Sequence, residues 1–298
     1  MNIKLIANPA SCRGKFSRYR DAIMGKLSAA GEVSVSETRK SGDFPHLASL
    51  LRERKYDTVV IAGGDGTVND VANAVFTGGF SVPVGIIPVG AGNLFSDCAE
   101  IPHDPLAACD VILRGRTRKI DAGRIMSGSE ERYFILMLGM GFDARGAELM
   151  DERKKWRKVI GSFATHILVG MEEMFTYEPP LLSVKSDGCS YEGYHLIISN
   201  GKLHAGGVRI APSAEMDDGF LDASLFEEKA KMKTVRYLMD IITGVHPKGR
   251  GVKAFRSEKI KVSSDVDKIV VQTDGEAFRA TLPFEVQVMP GLLSLIVP

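Results

Sequence analysis

The run Thr58-Val59-Val60-Ile61-Ala62-Gly63-Gly64-Asp65-Gly66-Thr67-Val68-Asn69-Asp70-Val71-Ala72-Asn73-Ala74-Val75 constrains the fold of this chain more than any other stretch. It opens with β-branched apolar residues, as a buried strand does, and breaks into Gly-Gly-Asp-Gly-Thr. It then resumes with Val68, Val71, Ala72 and Val75 at helical spacing. A glycine-rich turn therefore joins the carboxyl end of a strand to the amino end of a helix. Glycines remove the Cβ atoms that would block close approach to a ligand. The unpaired N–H groups of the helix start face the same point as the loop amides, which suits phosphate. Asp65 narrows the choice, because a carboxylate aimed at a polyphosphate repels it unless a cation lies between. The stretch reads either as a Mg²⁺–nucleotide site, with Asp65 near the metal or an acceptor hydroxyl, or as a tight turn in which Asp65 caps the helix.

The flanking sequence alternates strand and helix patterns. A strand at residues 2–7 ends in Asn8-Pro9-Ala10-Ser11-Cys12, and a helix follows to about Ala30. A strand near 33–36 runs into Thr38, a helix covers about 44–54, and a strand at 82–88 leads into Val89-Gly90-Ala91-Gly92-Asn93. A helix at about 105–114 precedes a strand at 118–122. This alternation predicts a parallel, helix-covered sheet, in which ligands gather at the carboxyl ends of the strands. The loops at Asn8, Thr38, Gly63 and Gly90 all fall at those ends. After about Gly123 strand patterns recur at short intervals, at 133–137, 181–185, 194–199, 221–226, 259–262, 269–272 and 284–288. These predict an antiparallel, β-rich second domain with helices at about 144–175 and 231–243. The expected division is residues 1–122 and 123–284, with the last strand, 285–298, packing back on the first domain.

Composition excludes several classes. A net charge of +1 on 298 residues argues against a wholesale nucleic-acid binder. No run reaches the length of apolar sequence that a membrane-spanning helix needs, and no secretory leader pattern opens the chain. Cys12, Cys98, Cys109 and Cys189 lack the spacing of a zinc site or disulfide framework. A cytoplasmic protein, peripheral at a membrane, is the expectation, with a homodimer among the assembly states left open.

Taken together, Asn8-Pro9-Ala10-Ser11, Gly63-Gly64-Asp65-Gly66-Thr67 with Asn69, Pro88-Val89-Gly90-Ala91-Gly92-Asn93 and Asp274-Gly275-Glu276 resemble the diacylglycerol kinase catalytic-domain family, which includes bacterial soluble lipid kinases and the sphingosine and ceramide kinases. Asn200-Gly201, Gly206-Gly207, Ala211-Pro212 and Asp218-Gly219-Phe220-Leu221-Asp222 match its second domain in order. The resemblance implies a two-domain α/β protein, with an N-terminal nucleotide-binding domain like those of the NAD kinases and a C-terminal antiparallel β-sandwich, the active site lying between them. It implies transfer of the γ-phosphoryl group of ATP, with Mg²⁺, to a lipid hydroxyl at a membrane surface, diacylglycerol being the default acceptor. Asn8, Pro9, Ala10, Ser11, Cys12, Thr38, Gly63, Gly64, Asp65, Gly66, Thr67, Val68, Asn69, Asp70, Gly90, Ala91 and Asn93 would line the ATP site. Asp274 and Glu276 match the loop that supplies the general base. Glu215 and Phe220, through carbonyl oxygens, and Asp218, through its carboxylate, match a structural Mg²⁺ position. Asp121 falls where the family often places an acid near the catalytic metal.

The chain departs from the pattern at four positions. Ala91 stands where the family usually has Thr, Leu94 where many members have Asp, Cys12 for a common Gly, and Asp70 for Glu. Ala91 and Leu94 motivate a rival reading, a nucleotide-binding lipid sensor with little turnover. NAD kinase, which shares the glycine loop, is the enzymatic rival. The basic segment 151–158 holds the only Trp, and Trp156, Val159, Ile160, Phe163 and Ile167 fall on one helical face. That helix either lies against anionic lipid or packs its apolar stripe on the second domain.

Overall fold

The computed structural model describes residues 1–38, 42, 44–53, 55–152, 177–204, 209–229 and 251–298. Trp156 and its apolar stripe, the expected helix at 231–243 and the Gly206-Gly207 pair lie outside the described residues.

The first half runs β1 (Asn2–Ala7), α1 (Lys15–Ser28), β2 (Glu32–Glu37), α2 (Phe44–Arg52), β3 (Thr58–Gly63), α3 (Asp65–Thr77), β4 (Val84–Pro88), α4 (Leu94–Cys98), α5 (Pro105–Arg114) and β5 (Thr117–Ser127). Strands β2, β1, β3 and β4 pair in parallel in that order. All six residues of β3 are buried, which explains its unbroken apolar run, since helices cover both faces of such a sheet. Local chemistry sets the helix ends where it can. Asp104 caps α5 by accepting from the Leu106 and Ala107 N–H groups, Pro105 opens the helix, and Gly115 at φ 68 closes it. Helix α3 is different. Residues Thr67 to Val75 are buried without a break, so its polar side chains Asn69, Asp70 and Asn73 face protein rather than water.

The second half runs β6 (Glu130–Phe134), β7 (Met137–Met140), α6 (Phe142–Glu152), β8 (Leu182–Ser186), β9 (Cys189–Gly193), β10 (His195–Ser199), β11 (Leu221–Phe226), β12 (Val252–Ser257), β13 (Lys259–Ser264), β14 (Lys268–Thr273), β15 (Glu276–Thr281) and β16 (Phe284–Ile296). Strands β12-β11-β10-β7-β14-β15 form an antiparallel six-stranded sheet. It packs against strands β5, β6, β8, β13 and β16 of the other sheet through Phe134, Leu138, Val184, Ile198, Leu225, Ile260, Val271 and Val286. A separate core around Leu5, Phe16, Ile61, Val71, Ile86, Phe95 and Leu295 holds the first half. Each such side chain contributes about 1.5–3 kcal/mol on burial.

Three differences from the sequence reading matter. The strand expected at 133–137 is two strands, because the backbone at Ile135 and Leu136 turns its N–H groups onto the Asp274 carboxylate instead of a ladder. The strand expected at 118–122 continues to Ser127, so Ala122 lies inside β5. Finally, the last strand packs back on the first half as expected, but it is the end of one thirteen-residue strand, β16, that the second half shares. Its first part pairs with β13 and β5, and its last part pairs again with β5 and, at Leu295, in parallel with β4. The register shifts between Met289 and Leu293, where Pro290 and Gly291 form a bulge. One ten-stranded sheet therefore runs through both halves.

Candidate active site

Because β1, β2, β3 and β4 run parallel and end side by side, Asn8, Thr38, Gly64 and Gly90 share one sheet edge. The backbone there is knitted together. The Asn8 N–H donates to the Ala62 carbonyl and the Thr38 N–H to the Ala7 carbonyl, each at 2.9 Å. Asn8 Nδ2 donates to Thr67 Oγ1 at 3.1 Å, while Asn8 Oδ1 accepts from the Ala10 N–H, so one side chain joins the first loop to helix α3. The glycine loops meet in direct contact. A Cβ added to Gly90 would lie 2.3 Å from the Gly64 Cα, and one added to Gly64 would lie 3.0 Å from the Gly90 Cα. Asn93, at φ 61, locks the second loop by accepting from the Gly90 N–H and donating to the Gly90 carbonyl.

Gly64 offers α3 no capping side chain, so among the described residues no side-chain cap covers its first-turn N–H groups at this edge. Asp65 does not cap its own helix, as a plain turn residue would. Its Oδ1 accepts from the Phe95 N–H at 3.0 Å, and its Oδ2 faces Gly92, 3.0 Å from where a Cβ would stand. An open helix start, two glycine loops without Cβ atoms and an adjacent carboxylate fit a Mg²⁺–nucleotide.

Asp274 and Gly275, at φ 49 and 88, form the two-residue hairpin turn between β14 and β15, with Thr273 paired to Glu276. The turn is not merely solvated. The Asp274 carboxylate reaches back to accept three peptide N–H groups, from Ile135 at 2.8 Å and from Leu136 and Met137 at 2.9 Å. Burial pushes this carboxyl up to about 7; the three N–H donors pull it down, and the negative charge of Asp65 pushes it up again. The charge of Asp65 is thus felt at Asp274 across the junction of the two halves, although the two residues lie far apart in sequence.

The remaining expected residues fall as follows. Asp70 Oδ1 accepts from the Gly42 N–H, tying α3 to the loop before α2, and Val68 packs into the core. Asn69 Oδ1 accepts from Asn73 Nδ2. Ala91 is exposed in its turn, Leu94 packs on the first core, and Cys12 takes the left-handed φ of 43 that favours glycine. Asp121 is 2% exposed, and both its oxygens are engaged, by Gly291 N–H at 2.7 Å and Gly219 N–H at 2.8 Å. It joins the β16 bulge to the 215–220 loop. Asp218 accepts from the Phe220 N–H and pairs with Arg256, and Glu215 lies 4.0 Å from Lys202. Among the described residues, no three His, Cys, Asp or Glu side chains gather to hold a metal.

The structural roles of two residues escaped the sequence reading. Asn73 donates to the Tyr133 carbonyl and accepts from the Tyr133 N–H, so α3 pairs with the β6 backbone as a strand would. Asn200 Nδ2 donates to the carbonyls of both Asp121 and Ile135. The signal for Asn73 was present, since an amide within a helix lined by Val71, Ala72, Ala74 and Val75 demands a partner.

Residues 2–125 match the family model of the diacylglycerol kinase catalytic domain, and residues 137–297 match that of the YegS C-terminal NAD kinase beta sandwich-like domain. The diacylglycerol kinases of Staphylococcus aureus strains MRSA252 and Newman are each 31% identical over 281 residues, covering 92% of this chain and 85% of theirs. A crystal structure of a proposed diacylglycerol kinase from Bacillus anthracis strain Sterne matches with a TM-score of 0.78 at 20% identity, covering all of this chain and 97% of that one. A diacylglycerol kinase structure from the same strain matches at 0.74 and 19% over the same shares. The second pair shows likeness of fold; the identity to the staphylococcal proteins covers 92% of this chain, and the chain belongs to the diacylglycerol kinase catalytic-domain family.

Proposed function

We propose that this chain is an ATP-dependent lipid kinase that transfers the γ-phosphoryl group to a lipid hydroxyl, diacylglycerol being the default acceptor. The observation that carries the reading is the Asp65 carboxylate set between the two glycine loops beside the start of α3. Asp274, bonded to the N–H groups of Ile135 and Leu136 whose side chains pack in the core of the first half, is the candidate base at the junction of the two halves. In phosphoryl transfer, positioning and charge neutralisation dominate, and the acceptor proton needs a destination. The amides of Gly64, Asp65 and Gly66 hold the phosphates. Asp65 is the residue that would hold Mg²⁺, through water, and Mg²⁺ when bound neutralises charge on the phosphates. Asp274 takes the proton from the acceptor hydroxyl as its oxygen bonds to the γ-phosphorus and the bond to ADP breaks. A carboxyl near 7 accepts a proton well at neutral pH. Glu276, at the start of β15, orients the acceptor side, and Asp121 is a positioning residue.

In this reading residues 1–122 with the end of β16 form the nucleotide side, and residues 123–284 form the acceptor side at a membrane surface. No helix among the described residues is long and apolar enough to cross a membrane. NAD kinase is not favoured, since the relatives matched along the chain are diacylglycerol kinases.

The test compares Asp65→Ala and Asp274→Asn with the unaltered chain, using labelled ATP, Mg²⁺ and mixed diacylglycerol–phospholipid micelles. Both variants should lose kcat by 10²-fold or more, on the order of what a general base contributes, while keeping the far-ultraviolet circular dichroism of the fold. Full turnover in either variant would refute the assigned roles. A chain that binds ATP but never labels lipid would point to the sensor reading.

A further inference from the structure

We infer that the 213–222 loop is held by a protein cation, the Arg256 guanidinium, where the family resemblance puts a structural Mg²⁺, so that this chain builds its second domain without a divalent ion there. The sheet register places Arg256. It lies on β12 directly opposite Asp222 of β11, one of six cross-strand partners in that ladder. From there its guanidinium pairs with the Asp218 carboxylate, its Nε stands 3.4 Å from Asp222 Oδ2, and its Cζ lies 5.0 Å from the centre of the Phe220 ring. Of the three residues the resemblance assigns to the ion, Asp218 alone would offer a side chain, and that carboxylate is paired to Arg256, whose guanidinium also lies over the Phe220 ring.

The rest of the loop is also balanced by protein groups. Arg118 grips Asp217 through two bonds, at 2.6 and 2.5 Å, a fork geometry that a planar guanidinium supplies. Glu215 points toward Lys202, 4.0 Å away. Four carboxylates, Glu215, Asp217, Asp218 and Asp222, therefore face three side-chain cations, Lys202, Arg118 and Arg256. The loop backbone is engaged as well. The Met216 carbonyl accepts from the Asp121 N–H at 2.6 Å, and the Gly219 N–H donates to Asp121 Oδ2. A hard cation needs several converging oxygens. Here Asp218, the one carboxylate the resemblance assigns to the ion, already holds a guanidinium whose charge repels a second cation. Arg256 is on this account a positioning residue. It fixes the loop that Asp121 ties to the β16 bulge, and hence to the crossing strand of both halves.

The test needs no catalysis, so its failure and the failure of the kinase reading are distinguishable. Thermal unfolding of the nucleotide-free full chain is followed in excess EDTA and in excess Mg²⁺, with Arg256→Ala, Arg256→Lys and Asp218→Asn alongside. The unaltered chain should show one midpoint in both solutions. Arg256→Ala should lower it by roughly 2–6 °C, and Arg256→Lys, which keeps the charge but not the fork, should fall between. If Arg256→Ala fails to fold, the midpoint of Arg256→Lys decides the same question. A midpoint of the unaltered chain that rises with Mg²⁺, by an increment that Asp218→Asn abolishes, would overturn the inference. So would an unchanged midpoint in the Arg256 variants.

Discussion

Asp274→Asn isolates the most costly group at the site. The Asp274 carboxyl titrates near its ordinary 3.8 in the unfolded chain and at about 7 in the folded one. Between those values the folded chain holds a proton that the unfolded chain has released. Stability therefore falls as pH rises through this window. The full loss, once both states are ionised, is about 4 kcal/mol, three decades of proton affinity at about 1.4 kcal/mol each. His195 works in the opposite sense. Burial lowers its imidazole to about 4, so the unfolded chain takes up a proton first as pH falls, and about 3 kcal/mol is lost between 6.5 and 4. The two slopes nearly cancel in acid, and a profile of the unaltered chain alone would hide both. The difference between the unaltered chain and Asp274→Asn removes the histidine contribution. An asparagine carries no titrating proton, but its NH₂ faces one of the three peptide donors, which costs about 1–3 kcal/mol at every pH. The variant should therefore be the less stable protein at pH 4 and the more stable at pH 8.5, with the curves crossing between. Urea unfolding followed by circular dichroism across that range reads the crossing directly. Parallel curves, or an unaltered chain that gains on the variant as pH rises through 7, would refute the burial argument.

Other consequences follow from single contacts. Gly90→Ala should weaken ATP binding at least tenfold by calorimetry, because its Cβ would sit 2.3 Å from the Gly64 Cα and must part the two loops. Cys12→Gly should stabilise the chain by about 1 kcal/mol in urea unfolding, by removing a side chain from a left-handed backbone. Asn73→Ala should cost roughly 2–3 kcal/mol, since it leaves the buried Tyr133 N–H and carbonyl without the amide that serves both.

The legible parts of this molecule were those set by local chemistry. The β-branched run at 58–62, the glycines after it and the helical spacing of Val68, Val71 and Val75 define β3, its turn and α3 from neighbours a few residues away. Parallel strand order then brought Asn8, Thr38, Gly64 and Gly90 to one edge, because alternating strands and helices leave few topologies. What could not be read depends on distant partners. Ile135 and Leu136 look like strand residues, yet their N–H groups turn toward a carboxylate 138 or 139 positions away. Residues 285–298 read as one last strand packing back on the first domain, but the bulge at Pro290-Gly291, pinned by Asp121, which lets that strand serve both halves did not show. Asp218 suggests an ion ligand until Arg256, 38 residues later, arrives from a neighbouring strand. Asn73, by contrast, was visible as an amide within an apolar helix, and only its partner was hidden.

The central claim is that the site phosphorylates a lipid hydroxyl. The most direct measurement incubates the purified chain with Mg²⁺ and γ-labelled ATP, with a total lipid extract in one vessel and NAD in another. The account predicts label in the organic phase, carried by one phosphorylated lipid alcohol and lost in Asp65→Ala. Label recovered in NADP, with none in the lipid phase, would contradict it.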